Sequence, residues 1–143
     1  FKIEENSLKA IKDEAERMKI VSMERIMVEF NKIMLSDRPS KGLKLLEETT
    51  LLQYILPELT ALKGIEDIDG QTHKDNFYHT LAVVDNISES TDKLWLRWSA
   101  LLHDIGKAPT KKFVDGIGWT FHGHEFLGSK MVKTNKHKIY NRR

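Results

Sequence analysis

The sequence predicts an all-α fold: two helical units in succession, with little or no strand. Apolar residues recur three and four apart in one segment after another, the spacing that places them on one helix face. Serine, threonine or aspartate stands before most of those segments, and glycine or proline closes several of them, as helix starts and stops require. Only the stretch from Phe113 to Phe121, with Gly116, Gly118 and Trp119 inside it, reads as an irregular loop or a short hairpin.

In chain order, Ser7 is placed to cap a helix carrying Leu8, Ile11, Ala15 and Met18. Ser22 is placed to cap a second with Ile26, Phe30, Ile33 and Met34. Asp37-Arg38-Pro39-Ser40 breaks the pattern. Leu43, Leu45 and Leu46 resume it as far as Thr49-Thr50, and the run from Leu51 to Leu56 ends at Pro57. Residues 1–63 therefore form one helical unit, with methionines 18, 23, 27 and 34 as core filler. The second unit, residues 64–143, opens on a polar linker from Gly64 to Asn76, where His73 reads as an exposed loop histidine. A helix from about Phe77 to Ser88 follows, packing Leu81, Val84 and Ile87 while His79 leaves its first turn. Thr91 or Asp92 caps the next, through Leu94, Trp95, Trp98, Leu101 and Leu102, whose two tryptophans belong to the core. Gly123 opens a last helix through Phe126, Leu127, Met131 and Val132. From Thr134 onward the apolar periodicity lapses, and the basic stretch Lys130 to Arg143 reads as a solvated, truncated or altered end.

Composition narrows the function classes. At 143 residues the chain has room for one domain or two small ones, and 40% hydrophobic with 31% charged residues is ordinary for a soluble, cytoplasmic protein. No apolar run approaches the ~20 residues of a membrane helix. Without cysteine, neither disulfides nor thiolate metal sites exist. The opening Phe1-Lys2-Ile3-Glu4-Glu5 does not resemble a translation start or a targeting segment, which suggests a piece of a longer protein.

The chemistry concentrates in Leu101-Leu102-His103-Asp104-Ile105-Gly106-Lys107, where an apolar helix breaks at glycine beside an imidazole and a carboxylate. Neighbouring residues inside a helix diverge by about 100°, so His103 and Asp104 share one ion most easily at such an end. His79 upstream and His122-Gly123-His124-Glu125 downstream add imidazoles. Of that pair His124, in the first turn of a helix, is the one aimed inward. Imidazole nitrogen with carboxylate oxygen suits a divalent metal ion. Its bound water would be acidified and a phosphoryl group polarised, the requirements of hydrolysis. Lys107 is either a phosphate-holding cation or a solvated lysine in a turn. A further carboxylate from a later helix is missing, since no Asp or Glu follows Glu125.

His79, then His103-Asp104, then a downstream histidine resembles the HD superfamily of metal-dependent phosphohydrolases. Phe77-Tyr78-His79-Thr80-Leu81-Ala82-Val83-Val84, the stretch from Leu101 to Pro109 and Phe121-His122-Gly123-His124-Glu125 resemble more narrowly the HD-type domain of bacterial tRNA nucleotidyltransferases of the poly(A) polymerase family. Ser22-Met23-Glu24-Arg25-Ile26, the stretch from Gly42 to Glu47 and that from Leu51 to Leu59 are similar to the neck of that family. The resemblance covers roughly residues 1–132. It implies a helical neck followed by an HD-type helical bundle, with a divalent metal held by His79, His103, Asp104 and His124, and His103, Asp104 and Lys107 as catalytic residues. It implies a parent that adds or repairs the CCA end of tRNA from CTP and ATP, using magnesium bound in a head domain whose motifs this chain lacks. Glu24 and Arg25 match the neck's Glu-Arg pair, which implies contact with nucleotide or RNA, although the two also fit a surface salt bridge. Two alternatives fit the same residues: a tRNA-holding scaffold with a vestigial HD site, and a free-standing HD phosphohydrolase.

Overall fold

The structure, a computed structural model, describes residues 3–140, with no description of side chains from 135 onward. Helices α1 (Glu5–Asp13), α2 (Met23–Met34), α3 (Pro39–Glu48), α4 (Leu52–Ile55) and α5 (Pro57–Thr60) form the first unit, with a 3-10 turn over Ala15–Ile20. Ser22 caps α2 as its position predicts, accepting from the Arg25 amide at 3.4 Å. At α1 the cap is Glu4 rather than Ser7, because a carboxylate one turn earlier accepts from the amides of both Asn6 and Ser7 at 3.0 Å. Pro39 starts α3, whose own N-cap offers no side chain. Asp85, from a helix far along the chain, takes that role, accepting from the Ser40 amide at 3.0 Å and from its hydroxyl.

The second unit contains α6 (Asn76–Ser88), α7 (Leu94–Leu102), α8 (Lys107–Thr110) and α9 (His124–Tyr140). Asp75 caps α6 through the amides of Phe77 and Tyr78. The expected linker holds a two-residue hairpin, β1 (Asp67–Ile68) with β2 (Gln71–Thr72), turned by Asp69 and Gly70 at positive φ. The glycine-bearing stretch is a second hairpin, β3 (Lys112–Val114) with β4 (Gly118–Thr120), registered Phe113 opposite Trp119. The two hairpins meet where the Trp119 indole N–H donates to the Gln71 carbonyl at 3.0 Å. The lapse of periodicity after Thr134 does not end α9, whose backbone stays helical to Tyr140. The basic side chains of the expected solvated end beyond Thr134 lie outside the described residues.

Both units share one core. Phe30 and Met34 of α2, Leu43 of α3, Leu81 and Val84 of α6 and Leu101 of α7 are all essentially inaccessible. Burial of this kind contributes roughly 1.5–3 kcal/mol per large side chain. The Phe30 and Trp98 rings stand 5.0 Å apart, and the Trp98 N–H donates to Asn31 at 2.7 Å. Trp95, expected in the same core, lies instead at its edge with 37% of its surface exposed. The deeper tie is Arg97, only 5% exposed, whose guanidinium donates to the carbonyls of Met34, Ser36, Ser88 and Thr91. It satisfies the carbonyls at the C-terminal end of α2 and locks them to α6 and α7. No helix among the described residues is long and apolar enough to cross a membrane.

Candidate metal centre

Four elements deliver the centre. His79 leaves the first turn of α6, and His103 stands at the C-cap of α7 with Asp104 in the turn that follows. Lys107 opens α8, and His124 opens α9. Gly106 allows the convergence. A Cβ there would run into the His124 carbonyl oxygen and come within 2.8 Å of the Gly128 amide nitrogen, so α8 and α9 approach backbone to backbone. Gly123, at φ +77, supplies the left-handed turn before α9 that swings His124 inward.

The hydrogen bonds around the two outer imidazoles decide their chemistry. Nδ1 of His103 lies 2.5 Å from the Ala100 carbonyl oxygen, and Nδ1 of His124 lies 3.0 Å from that of Phe121. A carbonyl oxygen only accepts, so each Nδ1 carries the proton and, in the neutral ring, each Nε2 presents a lone pair. Both lone pairs face Asp104: Nε2 of His103 is 3.0 Å from Oδ2 and Nε2 of His124 is 3.5 Å from Oδ1. Lone pairs opposed to carboxylate oxygens repel unless a proton or a cation lies between them. Two ligands each about 2.1 Å from one ion stand roughly 3.0 Å apart at a right angle and roughly 3.4 Å apart in a tetrahedron. The observed separations fit that range. His79, His103 and Asp104 each place a ligand atom within 4.8 Å of the other two, a donor set that fits a divalent metal; His124, expected as a fourth ligand, approaches Asp104 but lies outside this group.

The electrostatics keep His79 and Asp104 in the forms that bind a metal. Burial, with the charges of Lys74 and Lys107, holds the His79 pKa below its ordinary value against the opposing pull of Asp104, which leaves the ring neutral. Burial pushes Asp104 upward, but the hydrogen bond and charge of the Lys107 ammonium, joined by His103 and His124 when these are protonated, outweigh it, and its carboxyl sits below the usual range. Lys107 Nζ is 3.0 Å from Asp104 Oδ2, so this ammonium is an ordered partner of the centre, and the solvated-turn reading of Lys107 fails.

His122 and Asp115 are exposed and outside the cluster. Glu24 and Arg25 are exposed on the first turn of α2, away from the ligands, and no ion pair joins them among the described residues. Sequence reasoning missed two things. The Phe121 carbonyl fixes the His124 tautomer, a backbone role with no side-chain signature. His73 is half-buried against Trp119 at 4.9 Å and Phe121 at 6.1 Å rather than free in a loop; the alternation of Trp119 and Phe121 was its one available sign.

A helical bundle with this histidine-aspartate cluster is that of an HD-type protein, and residues 76–140 match the HD domain family. Residues 1–63 match the family described as the probable RNA and SrmB-binding site of polymerase A. A CC-adding tRNA nucleotidyltransferase of Thermus thermophilus is 35% identical over 78% of this chain and 26% of its own length. Multifunctional CCA proteins of Neisseria meningitidis serogroup B and of Pseudomonas fluorescens strain Pf0-1 are 32% and 28% identical, each over 93% of this chain and 32% of their own length. The chain thus spans about a third or less of the relatives it matches. It belongs to the tRNA nucleotidyltransferase and poly(A) polymerase family, with the neck region followed by the HD-type domain. No solved structure matches it.

Proposed function

We propose that residues 1–63 are the neck and residues 64–143 the HD-type domain of a cytoplasmic tRNA nucleotidyltransferase, whose whole form builds the CCA end of tRNA from CTP and ATP with magnesium in its head. We further propose that the HD centre binds a divalent metal and hydrolyses a phosphoester. The opposed Nε2 lone pairs of His103 and His124 around Asp104, fixed by the Ala100 and Phe121 carbonyls, carry this second reading.

When bound, the metal supplies an acidified water and polarises the phosphoryl group. His79, His103, Asp104 and His124 hold it in place. Lys107, its Nζ 3.0 Å from Asp104 Oδ2, would direct its ammonium at a phosphate oxygen and neutralise charge developing there. Hydrolysis would join a water oxygen to phosphorus as one ester P–O bond breaks, a proton of that water passing to the departing oxygen. Glu24 and Arg25, exposed at the start of α2, are the neck's contribution to nucleotide or RNA contact.

The match of residues 1–63 to a probable RNA-binding site supports a second reading, a tRNA-holding scaffold whose centre does not turn over. Hydrolysis of a 2′,3′-cyclic nucleotide separates the two. Turnover with added manganese in the wild type, absent from the double variant His103→Ala, Asp104→Ala, supports the phosphohydrolase. Salt-dependent tRNA binding equal in both proteins, with no turnover in either, supports the scaffold.

A further inference from the structure

Two dipeptides of this chain share one local geometry, and only one of them has its carboxylate in the metal centre. In His103-Asp104, Nδ1 of the imidazole lies 2.5 Å from the carbonyl oxygen three residues back, and Nε2 lies 3.0 Å from the carboxylate that follows. In His124-Glu125, Nδ1 lies 3.0 Å from the Phe121 carbonyl oxygen, again three residues back, and Nε2 lies 3.4 Å from Glu125 Oε1. Each pair stands at a helix end, where adjacent side chains can face one ion: the first beyond α7, the second at the start of α9. Gly106 brings the two ends together, its backbone close against that of His124.

Glu125 has an ordinary role open to it, since an acidic residue in the first turn of a helix interacts favourably with the unsatisfied amides there. That role accounts for its charge but not for its approach to His124. With the proton on Nδ1, neutral His124 turns its Nε2 lone pair toward two carboxylates, Glu125 at 3.4 Å and Asp104 at 3.5 Å. A cation among the three groups relieves both repulsions. We propose that Glu125 is a carboxylate ligand of the metal centre, reaching the ion beside His124 as Asp104 does beside His103. The proposal rests on the metal reading above and adds a second carboxylate to it. His124 and Glu125 lie outside the group of His79, His103 and Asp104, so a short inward movement joins them to it. Glu125 is free to make that movement, because its side chain is 77% exposed and rotates without disturbing the core. With His103 it also lines a cleft of about 310 Å³ walled by Trp98, Leu102 and Val132, so this carboxylate and a ligand imidazole open onto the same space. Two carboxylates neutralise a divalent ion where Asp104 alone leaves a net positive charge, and the added oxygen shifts the donor set toward harder ions such as manganese.

Equilibrium titration of the whole chain with manganese and, separately, with zinc tests this in the wild type and in Glu125→Gln. Glutamine keeps the size and helix propensity of glutamate at this exposed position and removes only the charged oxygen. Manganese affinity is expected to fall about tenfold or more in Glu125→Gln, and zinc affinity by less, because imidazole nitrogen suits zinc while manganese depends on carboxylate oxygen. Asp115→Asn removes the same charge from an exposed carboxylate outside the cluster and is expected to change neither affinity. Unchanged manganese affinity in Glu125→Gln overturns the proposal. An equal fall for manganese and zinc also overturns it, because that is the mark of a nearby charge rather than of a ligand. A wild-type chain that binds neither ion removes the metal reading itself, and this proposal with it.

Discussion

Replacing Gly106 by alanine tests the geometry that assembles the metal centre. Gly106 has ordinary right-handed helical angles, φ −72 and ψ −10, so its backbone accepts alanine without strain and only the added methyl matters. That methyl overlaps the His124 carbonyl oxygen and lies 2.8 Å from the Gly128 nitrogen, both backbone atoms that no rotamer change moves. Helix α9 must retreat by on the order of 1 Å to restore van der Waals separation. Overpacking of this kind costs about 1–3 kcal/mol. The same shift carries Nε2 of His124 away from its 3.5 Å approach to Asp104, well beyond the ~0.2 Å tolerance of a metal ligand, and metal affinity falls about 10- to 100-fold. Gly128→Ala is the matched control. Its methyl comes no nearer than 3.4 Å to the Gly106 nitrogen and 3.7 Å to its Cα, and alanine inside a helix adds roughly 0.5–1 kcal/mol, so stability is unchanged or slightly raised. Urea unfolding and manganese titration of both variants provide the measurement. Equal metal affinity in Gly106→Ala and Gly128→Ala would refute the argument that the Gly106 contact sets the position of His124.

Arg97→Met keeps the aliphatic stem but leaves four carbonyls without their charged donor, and is expected to cost about 3–5 kcal/mol in urea unfolding. A loss below 1 kcal/mol would show that α2 is held to α7 by apolar packing alone. In its folded state His79 takes up a proton only below the ordinary value of about 6.5, so the unfolded chain binds that proton first as the pH falls. Stability therefore drops as the pH falls through that value. His79→Gln is expected to flatten the slope, and an unchanged slope between pH 7 and 5 would contradict the burial of this ring. Asp85→Ala removes the acceptor of the Ser40 amide and is expected to cost about 1–2 kcal/mol, because α3 then begins without a side-chain cap.

The centre was legible in sequence because its side chains carry the signal: imidazoles and a carboxylate placed where apolar helices start or break. His79 in the first turn of α6 and His103-Asp104 beyond α7 come together as one group, and His124, after Gly123, opens α9 outside it. What escaped the sequence depends on backbone and on long-range contacts. The Phe121 carbonyl and the Glu4 cap use groups or positions that no residue pattern marks. Arg97 looks like a surface residue between two tryptophans. It is buried because α2 ends against it with unsatisfied carbonyls, a demand set far upstream in the chain. Trp95 and Trp98 share the i, i+3 spacing, yet Trp98 is buried with its N–H on Asn31 of α2 while Trp95 is 37% exposed, so one stripe divides into a core residue and an edge residue. The hairpins were missed or left open because strands of two or three residues are too short to show an alternation, and their pairing depends on turns at Asp69, Gly70, Gly116 and Gly118.

Manganese titration of the metal-free chain, followed by electron paramagnetic resonance, tests the central claim most directly. The lone pairs converging on Asp104 predict one bound ion per chain in the wild type and none in His103→Ala with Asp104→Ala, the Lys107 ammonium being the cation that yields its place. A wild-type titration indistinguishable from that of the double variant would contradict the claim.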